Sequence, residues 1–337
     1  MKSSITNSSD FLFIYEASQC NPNGDPDQEN KPRMDYDTKT NLVTDTRVKR
    51  FIRDYLKATN EEELIFVDME GNSKVSVDNK LRAVVKRTVE NVGELEKAFS
   101  DKPDALKVYK EIISKEKDAE SVWKIITDKK FKHKEVNYEL LAYLVKEKFI
   151  DIRMFGSAFA VGGFTKAYTG PIQLNWGYSF NKVELIDSST IVTIMNDGSS
   201  TFGKDYRVHY SLLGFNGTIN APAARSTGLT NKDLSVFRNA IWESIPASPT
   251  RSKLNQYPKL YLEIVYNEGV SNGQFGDLRN FVEATPKGGI TDKQVRRFKD
   301  LDIDLDLLKK LIKENKGSDK KIKEVIIKTS VDFNFSL

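Results

Sequence analysis

Apolar and polar positions follow three different rhythms along this chain, and the changes of rhythm divide it. Residues 11–18 (FLFIYEAS) are mostly apolar with no helical period, which predicts a strand buried on much of both faces. From residue 48 the period lengthens. Val48, Phe51, Ile52, Tyr55 and Leu56 recur at i, i+3 and i+4, the buried stripe of a helix that ends near Lys57. Thr44 or Asp45 can cap that helix, because a side-chain oxygen there accepts from a backbone N–H left over at the first turn. The loop between strand and helix carries NPNG, DP, KP and PR in quick succession, all turn formers.

Further on, residues 64–67 read as a short strand followed by a turn at 70–72. Residues 79–149 are rich in Lys, Glu, Leu and Val with helical periodicity, and Leu140, Leu141, Leu144 and Val145 make one packing stripe. We read 60–150 as a mainly helical insertion. Residues 151–163 return to small and apolar side chains. Gly156, Gly162 and Gly163 there fit tight turns or a close backbone approach equally well. Residues 169–180 form a strand-like run with Pro171 near its start. Residues 190–195 and 206–213 are strands joined by NDGSSTFGKD, which predicts a hairpin with a long mobile tip. Residues 230–245 form a helix with Thr230 and Asp233 at capping-box spacing, and 259–266 alternate as a strand. Turn-rich residues 274–280, charged helices to about 315 and one or two strands over 321–335 close the chain. Val331, Phe333 and Phe335 should share a face. Residues 1–10 are polar and expected to be disordered.

The core order is strand, helix, strand, strand, helix, strand. That predicts an α+β protein built on the ferredoxin-like βαββαβ plan of RNA-recognition motifs. No aromatic stacking pattern marks its strands, so a base-stacking sheet is not expected. The expected domains are a disordered start at 1–10, a core over 11–59 and 151–290 with a hairpin at about 187–210, the insertion at 60–150, and C-terminal helices with a closing strand at 291–337.

Composition narrows the chemistry. With 39% hydrophobic and 10% aromatic residues the chain can pack a core. The net charge of +4, from 52 basic and 48 acidic residues, is too balanced for a global polyanion binder, so any such site must be local. Cys20 is the only cysteine, which excludes intrachain disulfides and thiolate zinc clusters. His133 and His209 read as ordinary surface or strand residues. No stretch approaches the ~20 apolar residues of a membrane span, and no signal-peptide core precedes the first strand. No membrane partner is expected, and a cytoplasmic location is.

The local site is the first helix. At about 100° per residue, Arg47, Lys49, Arg50 and Arg53 fall on the arc opposite the apolar stripe. A solvated face accounts for most charged helices. Here Arg33, a planar fork suited to phosphate, and Gly24, open to backbone approach, precede the helix and point to a polyanion site. Asp25, Asp27, Glu29, Asp35 and Asp37 lack the spacing of a calcium loop and read as turn-closing side chains. No metal, cofactor or catalytic residue is expected.

The run NPNGDPD…KPRMDYDT…NLVTDTRVKRFIRDYL closely resembles the Cas7 family, the repeated backbone subunit of type I CRISPR surveillance complexes within the RAMP superfamily, and most resembles the I-B and I-C branch. The pattern recurs in DIRMFGSAFAVGG, in TGPIQLNWGYSF and after Tyr206, and is thin over 60–149. The resemblance implies a subunit that binds crRNA through Asn23, Gly24, Arg33, Arg47, Lys49, Arg50, Arg53, Gly156, Gly162, Gly163 and Lys166. It implies that 60–150 are fingers and that the hairpin is a thumb using Met195, Phe202, Lys204 and Arg207. It also implies head-to-tail copies of the chain in a filament, other Cascade subunits as partners, and a target DNA strand read through the guide. The alternative is a metal-dependent endoribonuclease of the type III backbone kind, using the loop aspartates.

Overall fold

The apolar run near the N-terminus becomes an interior strand of a large antiparallel sheet. A computed structural model describes residues 3–337 apart from 60–63, 71–72, 75–76, 89–95, 117, 129, 162–163 and 197–198. In chain order the elements are β1 (Ser9–Cys20), β2 (Gly24–Asp25), β3 (Lys31–Pro32), β4 (Met34–Asp35), β5 (Thr40–Val43), α1 (Asp45–Thr59), β6 (Met69–Glu70), β7 (Ser73–Lys74), α2 (Val77–Thr88), α3 (Pro103–Lys115), α4 (Ala119–Thr127), α5 (Lys134–Lys148) and α6 (Ile150–Phe155). They continue as β8 (Gly156–Val161), β9 (Phe164–Thr169), β10 (Ile172–Leu174), β11 (Gly177–Ser179), β12 (Leu185–Asn196), β13 (Ser199–Ile219), α7 (Ala221–Thr227), α8 (Asn231–Glu243), β14 (Gln256–Tyr266), β15 (Glu283–Pro286), β16 (Leu301–Asp304), α9 (Asp306–Asn315) and β17 (Ile322–Thr329). The protein is therefore α+β.

The chain divides into two compact units. One comprises Thr6–Tyr55, Ile172–Ala221 and Ser235–Leu337; the other comprises Leu56–Pro171, Pro222–Leu234 and the N-terminal residues through Ile5. In the first unit the sheet runs β17-β14-β1-β13-β11-β5-β4, with β10 and β12 also on β13. Strand β1 lies antiparallel to both neighbours. It is buried on both faces, as its uninterrupted apolar run predicts: Phe11 through Tyr15 have no exposed surface. One face carries Phe11 against Phe237 of α8 (ring centroids 5.7 Å apart) and Tyr15 stacked on Phe215 (5.8 Å). The other buries Leu12, Ile14, Leu262 and Ile264 with Leu278, Leu308 and Phe333.

The second unit centres on helices. Leu140, Leu141, Leu144 and Val145 of α5 are fully buried together with Leu81, Trp123 and Phe149. Two charged side chains next to this core are structural. Buried Asp151 accepts from the N–H groups of Phe66 (2.7 Å) and Val67 (3.0 Å). Buried Arg153 grips Asp233 through two nitrogens (2.9 and 3.2 Å) and donates to the carbonyls of Lys146 and Glu147 at the end of α5. Asp233 also forms the expected capping box with Thr230.

Several expectations fail for identifiable reasons. Residues 3–10 are held, not disordered: Ile5 is buried and donates to the Leu229 carbonyl, and β1 already starts at Ser9. Residues 64–67 form no strand, because Asp151 takes two of their N–H groups, leaving an isolated bridge from Leu64 to Phe149. The run 169–180 is broken at Asn175 and Trp176 into β10 and β11. The polar tip of the hairpin is strand down to Ser199, paired with Asn196. After the turns around Gly288 and Gly289, both at positive φ, the charged stretch forms one helix, α9, preceded by single turns and the β15–β16 pair. Val331 is exposed while Phe333 is buried and stacks on Phe298 at 5.5 Å, since β17 ends at Thr329 and a turn follows.

Candidate nucleic-acid interface

Turn chemistry fastens the loop to the start of α1. The Asn23 Oδ1 accepts from the Thr44 N–H (2.8 Å) and hydroxyl (2.9 Å). The Thr44 hydroxyl in turn accepts from the Arg47 N–H at 3.2 Å, so Thr44 is the cap. A Cβ on Gly24 would run into the Asn30 side chain, so the missing side chain serves the loop's own packing. Two of the five loop acids close turns as expected, while Glu29 instead reaches Lys204 and Tyr206 of the hairpin. Asp25 accepts from the Asp27 N–H and pairs with Arg33 at 3.2 Å, and Asp35 accepts from the N–H groups of Asp37 and Thr38. A hydrogen bond from the Thr38 side chain, followed by those N–H groups, holds the Asp35 carboxyl below the usual carboxylate range. Among the described residues, no group of three or more His, Cys, Asp or Glu could hold a metal ion.

The cations of the helix are not equivalent. Lys49 pairs with Asp45 at 3.0 Å and reaches Gln173 at 3.3 Å. Arg50 holds Asp54 through two nitrogens, at 2.8 and 2.6 Å. These i,i+4 pairs neutralise part of the predicted basic arc. Arg53 is half-buried on the same helix. Arg33 lies 5.8 Å from the half-exposed ring of Trp176. Arg47 differs from all of these. Its guanidinium stacks on Phe51 at 3.9 Å, its Nε is buried with no hydrogen-bond partner among the described residues, and burial lowers its pKa.

The hairpin residues fall on β12 and β13. Lys204 and Tyr206 both reach the Glu29 carboxylate at 2.9 Å, and those two hydrogen bonds hold that carboxyl below its ordinary range. Arg207 holds Asp205 through two nitrogens and donates to the Gln19 carbonyl at 2.9 Å, which ties the base of the hairpin to the end of β1. Met195 stands on β12, and Phe202 stands on β13 opposite Val192.

The structure thus brings Asn23, Gly24, Arg33, Arg47, Lys49, Arg50 and Arg53 together in one unit. Gly156 and Lys166 belong to the other, and Gly162 and Gly163 lie outside the described residues. Gly156 has φ +71° and sits against the Tyr168 and Gly170 backbone, where no Cβ fits. The Lys166 ammonium donates to the Tyr138 hydroxyl at 2.7 Å and lies 5.8 Å from the Tyr168 ring. Lys146 approaches that same ring at 5.7 Å; burial first, then the Lys166 charge, lowers its pKa.

Sequence reasoning missed Lys253. Its Nζ donates to the Asn21 carbonyl at 2.5 Å, and burial, followed by the Arg47 charge, pushes its pKa down to about 8. It comes from a turn more than two hundred positions downstream with no motif around it, so only the fold reveals it. Trp176, which the sequence places inside the strand-like run 169–180, instead stands in the break between β10 and β11 beside Arg33.

The model of the family described as CRISPR-associated protein Cas7 matches residues 7–306. A Haloferax volcanii protein named CRISPR-associated protein Cas7 is 30% identical over 306 residues, covering 89% of this chain and 81% of that protein. Among solved structures, a chain of a CRISPR RNA-guided surveillance complex in a pre-nicking state is similar with TM-score 0.46 and 13% identity, over 78% of this chain and 80% of the other. A chain of a second CRISPR RNA-guided surveillance complex has TM-score 0.38 and 12% identity, over 79% and 72%.

Proposed function

Because the chain belongs to the CRISPR-associated Cas7 family, we propose that it is the crRNA-binding backbone subunit of a type I effector complex. The family match across residues 7–306 is the observation that carries this reading. RNA backbone binding requires fixed cations and N–H donors, not a proton shuttle. The rigidly capped loop with Arg33, Arg47, Lys49, Arg50 and Arg53 supplies such cations in one unit. Gly156, Gly162, Gly163 and Lys166 supply a further stretch of backbone and charge. Contacts of this kind ignore base identity, which suits a protein that holds arbitrary guides while base pairing reads the target.

In this reading the sheet is a ferredoxin-like palm over 11–59 and 151–290. The order β14-β1-β13-β11, with α1 following β1 and α8 between β13 and β14, supports it. Residues 60–150 are the fingers, residues 291–337 close the palm, and the hairpin at about 187–210 is a thumb. Met195 and Phe202 act there as the apolar wedge and Lys204 and Arg207 bind phosphate. Copies stack head to tail along the guide in the cytoplasm, since a heterologous interface whose rotation does not close gives a helix of subunits. They join other Cascade subunits to display the guide to a target DNA strand. The chain itself cuts nothing.

The test is binding of single-stranded RNA to the purified chain across a salt series. Binding independent of RNA sequence, weakened when Lys49, Arg50 and Arg53 are changed to Glu, is expected, with no Mg²⁺-dependent cleavage. Binding unchanged by those reversals would remove the helix from the interface. Cleavage lost in Asp25→Ala or Asp35→Ala would establish the ribonuclease instead.

A further inference from the structure

We infer that Trp176 is a stacking platform for one unstacked base of the bound guide RNA, beside Arg33 and the start of α1. This rests on the guide-binding reading and adds an aromatic contact to a site otherwise made of charge. Direct contacts place the indole there. The next residue, Gly177, pairs with Val43, which immediately precedes Thr44, the cap of α1. On the other side of the indole, Gln173 is reached by Lys49 of α1 at 3.3 Å. The Arg33 guanidinium lies over the indole, 5.8 Å from its centroid. Gln173, Asn175 and Trp176 are all exposed, so they form a strip along the start of the helix with a cation at each end.

The backbone beneath the indole is fixed on both sides. Leu174 before it is buried, and Gly177 after it lies against the Phe215 ring with no space for a Cβ. The Asn175 N–H donates to the Asn216 carbonyl at 2.9 Å, and the Trp176 carbonyl accepts from Arg279 Nη1 at 2.7 Å. Arg279 is itself a buried brace, stacked on Tyr178 at 4.0 Å and paired with Asp277. Trp176 nevertheless stays 49% exposed. A large aromatic held outward on a rigid backbone costs little further ordering when a ligand stacks on it.

The neighbouring charge selects the occupant. A guanidinium carries five N–H donors, and Asp25 meets Nη1 of Arg33 at 3.2 Å, so donors remain for a phosphate next to the stacked base. Aromatic rings set beside cations are how single-stranded RNA is commonly held, since every base offers a π-face. Such stacking reads no base edge, so it tolerates arbitrary guides as the phosphate contacts do. The ring stands between β10 and β11 and not on a strand, which fits the absence of an aromatic stacking pattern along the strands.

The experiment measures anisotropy of a labelled single-stranded RNA, and of an abasic RNA of the same length, on the full chain across a salt series. It compares wild type, Trp176→Ala and Trp176→Phe. Trp176→Ala should weaken binding of the RNA about tenfold, within the range for loss of one base–aromatic stack. Its salt slope should stay that of wild type, because stacking releases no counter-ion. Abasic RNA should bind both proteins equally, and Trp176→Phe should stay close to wild type. A folded Trp176→Ala with unchanged RNA affinity overturns the platform and leaves the guide-binding reading intact. An equal loss on RNA and abasic RNA also overturns it. So does unchanged RNA affinity with RNA-free wild type sedimenting as an oligomer and Trp176→Ala as a monomer, which would make the indole a contact between copies. If wild type binds no RNA, the guide-binding reading falls and adenosine monophosphate decides the platform by quenching of tryptophan fluorescence. Quenching in wild type that is missing in Trp176→Phe upholds it, and no quenching overturns it. Should Trp176→Ala fail to fold, Trp176→Gln is read by the same assays.

Discussion

Asn23 shows how one loop side chain fixes the start of a helix. Its single side-chain oxygen accepts both hydrogen bonds that hold Thr44 in place, and Thr44 caps the basic helix. Asn23→Ala should therefore cost about 1–2 kcal/mol of stability, the usual cost of losing a cap, read as a lower urea midpoint. RNA affinity should fall with it, because the helix start loses its fixed position. Lys253 carries a prediction with a definite sign. Its folded amine sits near 8 against an unfolded value of 10.5. Between those values the unfolded chain binds more protons, so the stability of the RNA-free protein should rise as pH goes from about 8 towards 10. The destabilisation is fully present below pH 8, and Lys253→Met should remove the dependence. A melting curve of wild type that stays flat over that window would contradict it. In Arg153, the sequence shows only a cation in DIRMFG. The fold makes it a buried clamp on Asp233 and on the end of α5. Asp233→Asn should cost about 3–5 kcal/mol by leaving that guanidinium buried and uncompensated.

Elements were legible where a long period repeated. The apolar run of β1, the stripe of α1, the α5 stripe and the Thr230–Asp233 capping box all form as their spacing requires. Elements were misread where a distant side chain decided the backbone. Asp151 takes the N–H groups that would have made 66–67 a strand, and a turn after Thr329 splits Val331 from Phe333. The hairpin was under-read for a different reason: Ser, Thr and Gly suggested a loop, yet the ladder from β12 continues through them to Ser199. Gly156 is where local sequence was ambiguous and the structure is not. Its positive φ and the abutting backbone of Tyr168 and Gly170 leave no room for a side chain. Gly156→Ala should destabilise its unit by several kcal/mol, seen as an early unfolding transition, because strain and overlap add.

At the level of the whole molecule, bulk charge says little. The surplus is only +4, and in the proposed interface what counts is where the cations lie and which of them carboxylates neutralise, not how many there are. That distinction was invisible in the sequence, which placed four cations on one arc of α1 but could not show that Asp45 and Asp54 neutralise two of them or that Lys253 arrives from elsewhere. The most direct test of the proposed function is to co-express the chain with its CRISPR partners and size the nuclease-protected RNA that co-purifies. A regular ladder in multiples of one footprint, lost when Lys49, Arg50 and Arg53 become Glu, is the predicted result. A single footprint, or no bound RNA, would contradict a backbone subunit that polymerises along a guide.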